Sequence, residues 1–128
     1  MDETVPSFAL SQIGQIALSV SDLDRSVTFY KDSLGMKFLF RAPNLAFFDC
    51  GGVRLMLDPL ENTKDKFNSI LYFRVANLDE AYAGLQAKGV VFVDKPHLIA
   101  RMPDHELWMT FFRDPDQNVL ALMSEVRP

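Results

Sequence analysis

Two stretches of the chain carry the same succession of apolar and polar positions in the same order. Residues 13–20 (IGQIALSV) and 68–75 (NSILYFRV) are short apolar runs with strand character. Each runs into a near-copy of the same five residues, Val20-Ser-Asp-Leu-Asp24 and Val75-Ala-Asn-Leu-Asp79, identical at three positions and offset by 55. Asp22 and Asn77 are then good helix N-caps, because a short side-chain oxygen accepts an otherwise unpaired backbone N–H. Glu80, three residues after Asn77, adds a near capping box. Apolar residues follow at helical spacing, Leu23, Val27, Tyr30 and Leu34 in one copy and Leu78, Tyr82 and Leu85 in the other. Gly35 and Gly89 stop the helices, where a left-handed residue is wanted.

Strand patterns come next. They span about 36–42, 46–50 and 53–58 in the first copy, and about 90–94, 107–113 and 119–125 in the second. Phe47-Phe48 matches Phe111-Phe112 at an offset of 64, and Val53–Leu57 matches Val119–Met123 at an offset of 66. Gly51-Gly52 and Asp114–Asn118 are the paired turns. The pattern predicts an α+β fold of two tandem βαβββ modules, at about 12–58 and 69–126. A tail (1–11) precedes them, a polar linker (59–68) joins them, and 12–126 forms one domain.

Composition narrows the function. A chain of 128 residues with 48% apolar and 23% charged residues can build one core. A net charge of −4 without a basic cluster argues against nucleic acid. No apolar run approaches the roughly 18 residues of a membrane span, so no membrane partner is expected. The N-terminus has acidic residues where a signal peptide needs basic ones. Cys50 is the single cysteine and fits a reducing compartment. The expected location is cytoplasmic.

The segments VSDLDRSVTFYKDSLGMKF and FFRDPDQNVLALMSE resemble the first strand–helix–strand region and the closing hairpin of the vicinal oxygen chelate (glyoxalase/bleomycin resistance/dioxygenase) superfamily. The resemblance covers about residues 12–126. It implies modules whose mixed sheets curl into half-barrels with helices outside, and it implies a homodimer. In the metal-dependent members, one ligand sits on the first and one on the last strand of each module. Those positions here read Gln15, Leu55, Ile70 and Ala121. Only Gln15 has a donor atom, so no metal and no cofactor is expected. A one-residue slip brings Arg54 or Met56 inward, and Leu120 or Leu122 on the last strand, none of them a usual ligand.

The remaining candidates are polar or aromatic groups near the cleft. Tyr72 and Arg74 share the alternation of Ile70, and Arg74 can bind an anion through its planar fork. His97, Arg101, His105 and Glu106 fall in the connection KPHLIARMPDHELW, with His105 and Glu106 a candidate acid/base pair. The expected cleft has a floor of Gln15, Leu55, Ile70 and Ala121, a wall including Tyr72 and Trp108, and a mouth carrying Arg101 and His105. Two readings stay open. One is a metal-independent protein that holds a partly apolar or aromatic small organic ligand. The other is a glyoxalase- or epimerase-like lyase or isomerase with catalytic groups moved to Gln15, Tyr72, Arg101, His105 and Glu106.

Overall fold

The computed structural model describes residues 10–59 and 68–128. The first module contains β1 (Gln15–Ser19), α1 (Leu23–Thr28), β2 (Lys37–Ala42), β3 (Leu45–Cys50) and β4 (Val53–Asp58). The second contains β5 (Leu71–Arg74), α2 (Leu78–Ala87), β6 (His97–Arg101), β7 (Glu106–Arg113) and β8 (Val119–Val126). Each module forms one mixed sheet with the same topology, β1-β4-β3-β2 and β5-β8-β7-β6. The first strand of each pairs parallel with the last, and the other pairs are antiparallel. The two sheets are not closed into a barrel.

The local signals act as their chemistry requires. The side chain of Asp22 accepts the N–H of Arg25, and that of Asn77 accepts the N–H of Glu80. Gly35 and Gly89 adopt φ of 71° and 86°, left-handed values that L side chains resist. Between α1 and Gly35 the chain makes a π-helical turn over Phe29–Ser33, which turns Tyr30 fully into the interior. One outer strand of each sheet carries a one-residue bulge, at Leu39 in β2 and Ile99 in β6, and bulges increase sheet twist.

Each sheet has a helix face and an open face. The helix faces of both modules merge into one core of Leu18, Phe48, Leu55, Leu57, Phe112 and Leu120, with Tyr30 among them. Polar bonds reinforce the join. Tyr30 donates its hydroxyl hydrogen to Asp114 at 2.8 Å, and Ser26 donates to Asp116 at 3.2 Å. Asn68 bonds both Ser19 and Asn118. Burial, together with the Asp114 charge and hydrogen bond, pushes the Tyr30 phenol far above its ordinary value.

Two expectations are revised. The strand expected at 90–94 is reduced to a single bridge, Phe92 to Phe112. The fourth strand of the second module is instead β6, which carries His97 and Arg101, so these residues do not lie in a loop. Pro96 disguised it as the end of an element, although HLIAR alternates in exposure. The tail over 1–9 and the linker over 60–67 lie outside the described residues.

Candidate functional site

Strand register decides which side chains share a face, since neighbours across a ladder point the same way. In the first module Gln15 pairs with Arg54, and Ala17 with Met56, which pairs in turn with Phe47. Phe47 lies opposite Phe40 in β2. These residues make the open face of that sheet. Phe40 stacks on Phe47 at 4.6 Å between ring centroids, and the Arg54 guanidinium lies 5.8 Å from the Phe47 ring. Gln15 Nε2 lies 3.7 Å from the Met56 sulfur. The face thus offers an aromatic stack, an amide and a cation.

In the second module Tyr72, Ala121 and Phe111 are register partners, as are Arg74, Met123 and Met109. His97 pairs with Met109 and packs its ring against Phe111. Ala121 is fully buried, and across the ladder from it on either side the Tyr72 and Phe111 rings meet edge to face at 6.1 Å. At one end of this face His105 Nδ1 lies 2.7 Å from Asp104, and its Nε2 lies 3.9 Å from Glu125. Arg74 approaches Glu125 at 3.7 Å, and Arg127 bonds both Asp104 and Glu125 at 2.8 Å. The hydrogen bonds from His105 and then Arg127 hold the Asp104 carboxyl below the usual range.

The expected site residues therefore divide into three groups. Tyr72, Arg74, Ala121 and His105 share the open face of the second module, and Gln15 lies on that of the first. Leu55 points the other way, into the core beneath α1. The equivalent of Ala121 is Met56, because each pairs with the first phenylalanine of its Phe-Phe pair. The offset of 66 placed the first module one residue out of register, and in a strand one residue reverses the face. Leu55 does meet Ile70 and Tyr72, but at a hollow of about 300 Å³ on the seam between the modules.

Glu106, Arg101 and Trp108 form the third group, on the helix side. The Trp108 indole N–H donates to Glu106 at 3.1 Å, and Arg101 donates to the other carboxylate oxygen at 3.3 Å. These bonds, that of Trp108 first, hold the Glu106 carboxyl low. Trp108 packs against the core. Glu106 and its chain neighbour His105 are thus on opposite faces and do not form a pair. Arg54 joins the open face as the one-residue slip allows, and His97 joins it from β6, while Phe40, Phe47, Phe111 and Glu125 join unannounced. The repeated Phe-Phe pair was the signal that pins the register and reveals them.

The model of the Glyoxalase/Bleomycin resistance protein/Dioxygenase superfamily matches residues 12–122. The chain belongs to this superfamily. YraH of Bacillus subtilis (strain 168) is 34% identical over 128 residues, covering 84% of this chain and 94% of YraH. The metallothiol transferase FosB of Lysinibacillus sphaericus (strain C3-41) is 26% identical over 113 residues, covering 84% of this chain and 77% of FosB. Lactoylglutathione lyase from Agrobacterium tumefaciens superposes with a TM-score of 0.69 at 25% identity, covering 91% of this chain and 95% of the lyase.

Membership of the glyoxalase superfamily raises the question of a divalent metal. With the register corrected, its four ligand positions hold Gln15, Met56, Ile70 and Ala121: one amide, one thioether and two hydrocarbons. A divalent ion needs several convergent nitrogen, oxygen or thiolate donors. Among the described residues no three His, Cys, Asp or Glu side chains gather for one. The residues present do not fit the metal of the superfamily's metal-dependent members.

Proposed function

We propose that this glyoxalase-superfamily chain is a metal-independent binding protein for a flat, partly aromatic organic molecule. The supporting observation is the content of the two open faces. They present the Phe40–Phe47 stack on one module and the Tyr72–Phe111–His97 shelf on the other, with hydrocarbon or weak donors at the positions where metal-dependent relatives place ligands. Aromatic walls favour a π-system by stacking, and Gln15, Arg54 and Arg74 supply the few polar contacts that orient it. Each open face is half of a cleft. We propose that a homodimer completes it, the first module of one copy facing the second module of the other. A cytoplasmic location agrees with the single cysteine. Among the described residues no helix is long and apolar enough to cross a membrane.

A second reading draws on His105. Held by Asp104 and facing Glu125 on the same face as Tyr72, it is placed to move a proton for a lyase or isomerase. One experiment separates the two. Metal content of the purified protein is measured by plasma mass spectrometry, and planar aromatics are screened by thermal shift before and after chelator treatment. The binding reading expects far less than one equivalent of any divalent metal and chelator-insensitive shifts. One tightly held equivalent, or turnover of S-lactoylglutathione abolished by His105→Gln, replaces it with the enzyme reading.

A further inference from the structure

The two modules are copies, yet the space beside their helices is filled in one and empty in the other. Beside α1, Ser26 and Tyr30 are fully buried against the five-residue β7–β8 turn, through Asp116 and Asp114. At the offset of 55 the equivalents on α2 are Ala81 and Leu85, which carry no polar group. The equivalent β3–β4 turn is the two-residue Gly51-Gly52, too short to reach across. The result is a pocket of about 530 Å³ between α2, the start of β2 and the end of β3, within the range of small-molecule sites. Leu34, Met36, Phe73, Val75, Leu85 and Phe112 line its interior.

The α2 wall contains Gly84, one turn after Ala81 and one turn before Lys88. Glycine is among the poorest helix formers, and here it sits inside a helix. A Cβ built on it meets nothing within 4 Å. Neither crowding nor an unusual φ explains the glycine, which borders the pocket. Charge at the rim is uneven. Asp49 and Lys37 border the pocket but pair with each other, and Asp49 pairs with Arg54, so their side chains belong to the open face. Among the described residues the Lys88 ammonium makes only a long bond, 3.4 Å, to the Asp32 carbonyl. An apolar interior beside one weakly engaged ammonium group complements a hydrocarbon chain ending in an anion.

We propose that this pocket is a second binding site, separate from the open faces, for a medium-chain aliphatic carboxylate, its tail beside Gly84 and its head at Lys88. Cys50 borders the pocket and, as the single cysteine, reports on it cleanly. Burial, then the Asp49 charge, raises its thiol pKa, so the probe reaction is run at mildly alkaline pH.

The test measures alkylation of Cys50 against sodium decanoate, decanol and decyltrimethylammonium, each below its micellar concentration. The expected result is saturable protection by decanoate, with decanol about tenfold weaker and the cation ineffective. Gly84→Leu fills the pocket and removes protection, with mass and circular dichroism unchanged. Lys88→Glu, a surface change that spares the interior, weakens decanoate about tenfold and improves the cation. Cys50 also borders the seam hollow, so equal protection in wild type and Gly84→Leu places the ligand there and overturns the proposal. Equal protection by the cation overturns it too. Absence of protection in the wild type, as when the chain or a second copy already fills the pocket, also overturns it.

Discussion

Tyr30 and Asp114 show how one buried pair joins the modules. Asp114 accepts from the Tyr30 hydroxyl, from the N–H groups of Asp116 and Asn118, and from the Asn118 amide. Tyr30→Phe removes one bond to a charged acceptor and should cost about 2 kcal/mol. Asp114→Ala strands the donors together and should cost more, about 3–5 kcal/mol, both read from urea unfolding midpoints. At the surface, Asp104 and Glu106 have lowered pKa values because the folded state bonds their charged forms. A lowered folded pKa contributes stability above the unfolded value, lost as pH falls through the folded one. Stability should therefore decline on the acid side of the ordinary carboxylate range. Arg127→Ala should return Asp104 toward its ordinary value in a carboxyl NMR titration, and an unchanged Asp104 contradicts the assigned cause. At this scale the caps and the glycine stops were legible, because each depends on local chemistry. Leu55 was misread because a strand's two faces alternate, and the pairing of the last strands fixes an offset of 65 rather than 66.

The second module shows where elements escape a pattern. The segment after α2 has strand-like residues, yet only Phe92 bridges to β7 before the chain bends away. Asp94 then does with a side chain what a strand does with its backbone. Its carboxylate accepts the Phe111 N–H at 2.8 Å and the hydroxyl of fully buried Thr110 at 2.8 Å. That frees the chain to start β6 at His97, opposite Met109. Periodicity cannot report such a handover, because one carboxylate carries it. Asp94→Ala should cost about 1–3 kcal/mol, chiefly through the unpaired Phe111 N–H, since the Thr110 hydroxyl keeps the Asp94 carbonyl as acceptor at 3.1 Å, and Asp94→Asn should cost less. Amide exchange should quicken first at Phe111 and along β6, since loss of the bend releases that hairpin. Uniform quickening across both modules contradicts this placement. Ala121 has a related lesson. Fully buried between the flanking Tyr72 and Phe111 strand positions, it leaves no room for Ala121→Trp, which should destabilise the chain by about 1–3 kcal/mol rather than simply fill a cavity.

At the scale of the molecule, both helix faces are spent on one core, and the open faces look outward with Phe40 and Tyr72 each nearly half exposed. If the cleft forms between copies, the two halves of any one cleft come from different chains, and this has a countable consequence. Gln15 and Ile70 occupy equivalent, exposed positions on the two modules, so a large side chain at either should block its half-cleft without disturbing the core. Gln15→Trp and Ile70→Trp homodimers should each lose binding, because every cleft then contains one blocked half. Unfolding and refolding an equal mixture forms heterodimers in which one cleft collects both blocked halves and the other collects neither. Random pairing should restore about a quarter of the wild-type sites at wild-type affinity, measured by isothermal titration. A cleft built within one chain restores none, since each chain keeps its own defect. The mass of the wild type in sedimentation checks the premise: twice the 14.5 kDa chain supports the shared cleft, and a monomer at micromolar concentration refutes it.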